Sequence, residues 1–307
     1  MMIERRRFLA AIAVLSAQSP WTRPARADQM LHWFRHGIFE VTGLSDGYFP
    51  LPAGIVAPDA SSAEWAVIQQ RLGGGAGSID ARANVPLIRS GRDLILVDVG
   101  GGGKFQPTEG RLASSLAQAG HDPTSVTKVL LTHAHPDHLW GMLGADGQPR
   151  YPNATYYMGR TEWDFWMNSD YRSALPEGLH SFAQGAQRDL SAIRERFVAV
   201  KDGDEVVAGI HAIATPGHTP GHLSYRLDGP EALVITGDVV TNAIVSFEQP
   251  RWRFGNDTDS EAAINTRASF VDRAATERLR LLGYHFSYPG LGRVEAHGAA
   301  YRFVPDA

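Results

Sequence analysis

Residues 133–138 read His133-Ala134-His135-Pro136-Asp137-His138, three histidines and an aspartate within six positions. They follow directly on Val129-Leu130-Leu131, a short apolar run that reads as a buried strand. If these polar side chains served packing alone, each would need its own partners. A bound cation satisfies them together. Pro136 suits the first turn of a following helix, where its missing N–H is no loss. Such a turn presents Asp137 and His138 on a different side from His133 and His135, so one short segment can serve two adjacent metals. The chain contains no cysteine. Thiolate ligands and thiol nucleophiles are therefore excluded, and any metal must be held by His, Asp or Glu.

Three further residues stand at the ends of apolar segments with turn residues around them. They are His218 in Thr215-Pro216-Gly217-His218-Thr219-Pro220-Gly221-His222, Asp238 in Ile235-Thr236-Gly237-Asp238, and His285 in Gly283-Tyr284-His285-Phe286. Taken singly, each is read as a hydrogen-bonded structural histidine or a turn aspartate. Added to the first cluster they make seven candidate ligands, enough for two metals. His32, His36, His121, His180, His211 and His297 lack metal-like spacing and read as structural.

In this order, the first cluster, the Gly-His-Thr-Pro-Gly-His segment, the Gly-Asp and the late histidine resemble the metallo-β-lactamase superfamily. The likeness runs over nearly all of the chain after residue 27. It implies an α/β (α+β) fold, a four-layer αββα sandwich with the metals at one edge between two sheets. Residue by residue, it implies that His133, His135 and His218 bind a first metal and that Asp137, His138 and His285 bind a second. Asp238 would bridge the two. Asp98 resembles the family's strand-end aspartate, expected to orient a ligand or hold the loop; a turn or capping role fits it equally. His222 finds all seven positions filled and is expected to support them from behind.

The resemblance also bears on the chemistry. A carboxylate at Asp238 disfavours antibiotic hydrolysis, and His135 stands where the flavodiiron branch carries glutamate. Segments 105–112 and 286–305 resemble the methyl parathion hydrolase group and its lactonase and arylesterase relatives. The implied mechanism uses two divalent ions about 3.5–4 Å apart holding a bridging hydroxide, with Asp137 and Asp238 accepting its proton. Zn²⁺ is expected, and an all-His/Asp site also accepts Mn²⁺, Co²⁺ or Fe²⁺. The expected reaction is cleavage of apolar lactones or aryl esters, with phosphotriester hydrolysis as the close rival. A mononuclear iron sulfur dioxygenase and a non-catalytic binding module are the readings from other classes. Trp163, Phe165 and Trp166 are candidates for an apolar substrate pocket, although each alone also suits core packing. Residues 39–49 and Phe247, Trp252 and Phe254 are candidates with less support. The resemblance allows a homodimer.

The elements that must place these residues are legible in part. Residues 83–88 and 94–98 read as strands joined by a turn, and the glycines at 100–103 as a tight turn, since no Gly-Lys-Ser/Thr follows to make a phosphate loop. Further strands are expected at 154–158, 197–200, 206–214, 223–227 and 232–236. Helices are expected at 110–119, 161–168, 176–196 and 260–282. Residues 55–76 read as an inserted helix and loop. Strands interleaved with helices imply a mixed α/β domain with covered sheets.

The first 27 residues read as an address. Glu4-Arg5-Arg6-Arg7-Phe8-Leu9 precedes a short apolar stretch and Ala25-Arg26-Ala27, a charge–apolar–cleavage pattern of the twin-arginine type. The expectation is a periplasmic protein with no stable membrane anchor and one hydrolase domain over 28–307. The alternative, an amphipathic helix packed on the domain, leaves two prolines and the small-residue site without purpose. A net charge of -4 and no later basic run argue against nucleic acid as a partner.

Overall fold

Strands that are apolar on both faces must be covered on both faces, and this chain has such strands in two sheets. The computed structural model describes residues 31–73 and 77–306; the expected export segment 1–27 lies outside them. The first sheet runs in chain order through β1 (His32–His36), β2 (Phe39–Pro52), β3 (Ser78–Ser90), β4 (Asp93–Val97), β5 (Lys128–Leu130), β6 (Thr155–Gly159) and β7 (Phe197–Val200). The second comprises β8 (Glu205–Val207), β9 (Ile210–Ala214), β10 (Leu223–Leu227), β11 (Leu233–Ile235), β12 (Arg280–Leu282), β13 (Leu291–His297) and β14 (Ala300–Pro305), again neighbours in sequence order. β4 to β7 pair in parallel, as do β11 and β12; the other pairs are antiparallel. The helices are α1 (Ala53–Val56), α2 (Ser62–Leu72), α3 (Leu112–Gln118), α4 (Pro136–Leu139), α5 (Arg160–Trp166), α6 (Tyr171–Ala174), α7 (His180–Ile193), α8 (Val245–Glu248) and α9 (Ser260–Thr276).

Alternation along single strands produces the layers. On β4, Ile95 and Val97 point between the sheets, where they meet Ile210, Leu223, Tyr225, Leu233 and Ile235. Leu94 and Leu96 point the other way, into a core shared with Leu112 and Leu116 of α3 and Leu190 and Ile193 of α7. On the second sheet, Val234 and Leu281 face outward against Phe270, Val271 and Ala274 of α9. The order is helix, sheet, sheet, helix, which is the expected sandwich.

Some expected elements end elsewhere. The helix expected at 260–282 stops at Thr276; Arg278 takes φ 55° and the chain re-enters the sheet as β12. The strand expected at 206–214 is a hairpin, because Gly209 at φ 78° turns β8 back as β9. The helix expected at 176–196 is α7 flanked by short 3-10 turns. In the insertion, α2 starts on a capping box in which Ser61 and Glu64 bond each other's backbone N–H. No helix among the described residues is long and apolar enough to cross a membrane.

Candidate metal centre

β4 and β5 position the first candidate ligands through one aspartate. Beyond Val97 the chain turns at Asp98, which is held at φ 64°, a left-handed conformation that aspartate tolerates better than most residues. Its buried carboxylate accepts the Thr132 N–H and hydroxyl, each at 2.8 Å, and meets His138 Nδ1 at 2.8 Å. The Thr132 hydroxyl lies 3.0 Å from His133 Nδ1. Asp98 therefore fixes two imidazoles, His138 directly and His133 through Thr132.

His135 is the N-cap of α4 and Pro136 occupies its first turn. The turn rotates the chain so that His133 and His135 approach His218, while Asp137 and His138 approach His285. The segment serves both sides. His218 Nε2 lies 2.9 Å from His135 Nδ1, and its Nδ1 lies 3.0 Å from Asp257 Oδ1. The Asp257 side chain is buried and faces Arg267 at 3.6 Å. His285 Nδ1 meets the Arg82 carbonyl at 2.7 Å, and its Nε2 lies 3.4 Å from Asp137.

Asp238 stands between the two groups. Its Oδ2 is 3.3 Å from His218 Nε2 and 3.2 Å from His285 Nε2, and its Oδ1 is 3.4 Å from His138 Nε2. The Asp238 N–H donates to His222 Nε2 at 2.8 Å, which leaves the opposite nitrogen of that ring to face the Thr215 hydroxyl at 2.7 Å. Burial and the neighbouring His218 push His222 down to about 3. It is a neutral strut behind Asp238.

The electrostatics call for cations. Donor atoms within 4.8 Å of one another come from His133, His135 and His218, from Asp137, His138 and His285, and from His133, His138 and Asp238. In the last group His133 Nε2, His138 Nε2 and Asp238 Oδ1 are all buried without a hydrogen-bond partner, as is His135 Nε2. Leaving several such groups unpaired is costly, and one kind of ligand satisfies them all. Burial, aided by neighbouring imidazoles, drives His133 and His135 well below the ordinary range, so both are neutral and free to offer lone pairs. Burial also opposes charge on His138, yet Asp137, Asp238 and Asp98 raise it well above the ordinary range. Asp238, despite burial, is held well below by His285 and His138. The residues fit divalent metal ions bound by nitrogen and oxygen.

Of the aromatic candidates, Trp166 reaches this centre, its ring 5.6 Å from His135. Phe165 packs edge-on against Trp166. Trp163 stacks on Phe197 at 3.9 Å inside the helix-side core, and no ring contact ties it to the histidines. The apolar surround comes mostly from other elements. Phe49 of β2 is 5.6 Å from His285, Phe182 of α7 is 5.7 Å from His135, and Phe254 is 5.8 Å from His218. Phe105 joins Phe49 to Phe182. Phe247 packs with Phe286 and Phe303 behind the second sheet.

The supports that sequence reasoning missed are Glu162, Asp257, Asn84 and Tyr284. Asn84 donates to the carbonyls of Gly283 and Phe286 at 3.1 and 2.8 Å, gripping the turn that carries His285. Tyr284 stacks on His138 at 3.9 Å and donates to the Asp137 carbonyl at 2.7 Å.

A sequence profile of the metallo-beta-lactamase superfamily matches residues 80–285. The N-acyl homoserine lactonase AttM of Agrobacterium fabrum is 32% identical over 130 residues, 39% of this chain and 43% of that protein. The chain thus spans under half the length of that curated relative. Among solved structures, AidC, a dizinc quorum-quenching lactonase in complex with a product, N-hexanoyl-L-homoserine, has a TM-score of 0.84 at 28% identity, covering 90% of this chain and 97% of AidC. The hydrolase AbOPH of the β-lactamase superfamily gives the same TM-score, identity and coverage.

Proposed function

The chain belongs to the metallo-β-lactamase superfamily, and from that premise we propose that it is a metal-dependent hydrolase that opens the ring of N-acyl homoserine lactones. The observation that carries this reading is the convergence of buried, unpartnered imidazole and carboxylate atoms around Asp238. The likeness to AidC over nearly its whole length supports the lactone as substrate.

His133, His135 and His218 would hold one divalent ion, Asp137, His138 and His285 a second, and Asp238 would touch both. Bound there, such ions supply Lewis acidity toward the lactone carbonyl and activate water at neutral pH; zinc is the proposed metal, by likeness to AidC. Asp137 and Asp238 would be the carboxylates that take the proton given up by the attacking water. Asp98, Asp257 and the Arg82 carbonyl orient His138, His218 and His285, so the rings need no reorganisation as charge develops. The Tyr284 hydroxyl is committed to the Asp137 carbonyl and positions that ligand. Phe49, Phe105, Phe182 and Phe254 form an apolar wall suited to an acyl chain and to excluding water. The proposal includes residues 1–27 as an export signal to the periplasm and residues 28–307 as one hydrolase domain.

Metal content per chain, measured together with turnover of an N-acyl homoserine lactone, an aryl ester and a methyl phosphotriester, tests the reading. Two metals per chain with the lactone turned over fastest is the expected result. Fastest turnover of the phosphotriester would overturn the substrate assignment and leave the metal centre standing. One iron without hydrolysis would overturn both in favour of the dioxygenase.

A further inference from the structure

Glu162 has no part in the chemistry above, yet it is a fully buried carboxylate placed between the two loops that carry His133, His135 and His218. It lies in the first turn of α5. Its Oε1 accepts the Ala134 N–H at 3.0 Å and the Trp166 indole N–H at 2.6 Å; its Oε2 accepts the Gly221 N–H at 3.0 Å. Ala134 sits between His133 and His135, and Gly221 sits between His218 and His222. The Thr219 hydroxyl, buried and otherwise without a partner, lies beside the same carboxylate. No lysine or arginine pairs with Glu162 among the described residues. The approach is also tight: a Cβ on Gly221 would collide with the Glu162 backbone, and one on Gly159 would lie 2.7 Å from the Gly221 carbonyl.

We infer that Glu162 is a positioning residue that staples the 133–135 segment to the 218–222 loop and so sets the spacing of His133, His135 and His218 for one of the two metals. The inference rests on reading those histidines as metal ligands. The chemistry of the site makes it specific for a carboxylate. Ala134, Trp166 and Gly221 present only donors, and they reach both oxygens. Glutamine keeps the shape but must turn its amide NH₂ toward at least one N–H, leaving that donor unpaired and the two loops pushed apart. A residue that merely filled space would tolerate the change.

The experiment is metal competition against a chromogenic chelator with the full chain, comparing wild type with Glu162→Gln and Trp166→Phe. Circular dichroism and thermal melting check that each variant is folded. The folded E162Q variant is expected to bind one metal equivalent about 10- to 100-fold more weakly, with the other equivalent unchanged. Wild-type affinity for both equivalents in folded E162Q overturns the inference. If E162Q does not fold, W166F decides, since it removes a single donor and keeps an aromatic ring. A weakening of about threefold or more in one equivalent supports the staple, and unchanged affinity overturns it. A wild-type protein that binds no metal would instead remove the metal-centre reading beneath it.

Discussion

The two halves of the centre are fastened by opposite means. His133, His135 and His218 contain no carboxylate, and apart from the shared Asp238 they are backed by outside anions: Asp98 through Thr132, Asp257 on His218, and Glu162 on the backbone between the rings. Asp137, His138 and His285 include their own carboxylate. Of that group, His138 leans on Asp98, and His138 and His285 both face Asp238, which the two halves share. His285 is fixed by the Arg82 carbonyl, and the turn around it by the Asn84 amide. The difference follows from charge balance. A group of imidazoles without a carboxylate gains basicity from carboxylates behind it, whereas a group already holding Asp137 would accumulate uncompensated negative charge if it were backed in the same way.

Removing the residue common to both halves has the largest expected effect. Asp238→Ala should lower lactone hydrolysis by roughly 10²–10³-fold or more and reduce metal content below two per chain, measured by elemental analysis beside steady-state kinetics. Full activity in that variant would remove the shared-carboxylate arrangement. Next come the supports that distinguish the halves. Asp257→Asn removes the charge behind His218 and should weaken one metal equivalent by about 10- to 100-fold. Asn84→Asp removes the two donors that hold the His285 turn and faces a carboxylate toward two carbonyls. It should weaken the other equivalent and cost about 1–3 kcal/mol of stability, read by denaturant unfolding. In a double variant the two losses should add, because on the proposed two-metal reading the residues serve different metals. If both variants weaken the same equivalent, the division into halves is wrong.

The sequence made the centre itself legible because the chemistry sits at strand ends, where an apolar run stops at a turn and a polar residue has no local reason to be there. His133, His218, Asp238 and His285 all stand so. The supports lacked any such mark. Asn84 falls inside a strand pattern and meets Phe286 202 residues away. Glu162 hides in an aromatic run, where Trp163 and Trp166 looked equivalent. Three positions apart on a short helix, one stacks in the core and the other reaches His135. β2 is masked in the sequence, since Asp46, Gly47, Pro50 and Pro52 are residue types common in turns. The register shifts between Ser45 and Gly47, and the Asp46 carboxylate accepts N–H groups of Gly101, Gly102 and Leu112. That carboxylate also organises the glycine run into the expected turn.

Glu109 sharpens the comparison with the smallest expected change in activity. Both its oxygens are buried without a hydrogen-bond partner, and one lies 2.6 Å from where a Cβ on Gly101 would stand. Burial first, then Asp137 and Asp46, push its carboxyl up to about 9. An unfolded glutamate titrates near the ordinary 4.5. Between these values the folded chain keeps a proton that the unfolded chain releases. Stability is therefore full below the lower value and declines as pH rises toward the upper one. At about 1.4 kcal/mol per pKa unit, the upper bound at pH 7 is roughly 3 kcal/mol. Glu109→Gln mimics the protonated form and should flatten that decline, so its advantage over wild type in metal-stripped protein should grow steadily from pH 5 to pH 9. Cations beside Asp137 favour the charged carboxylate, and metal loading should shrink the difference. Melting curves of the two proteins that run parallel across this range would show that Glu109 is ionised throughout, and that the half of the centre holding Asp137 tolerates a second buried negative charge after all.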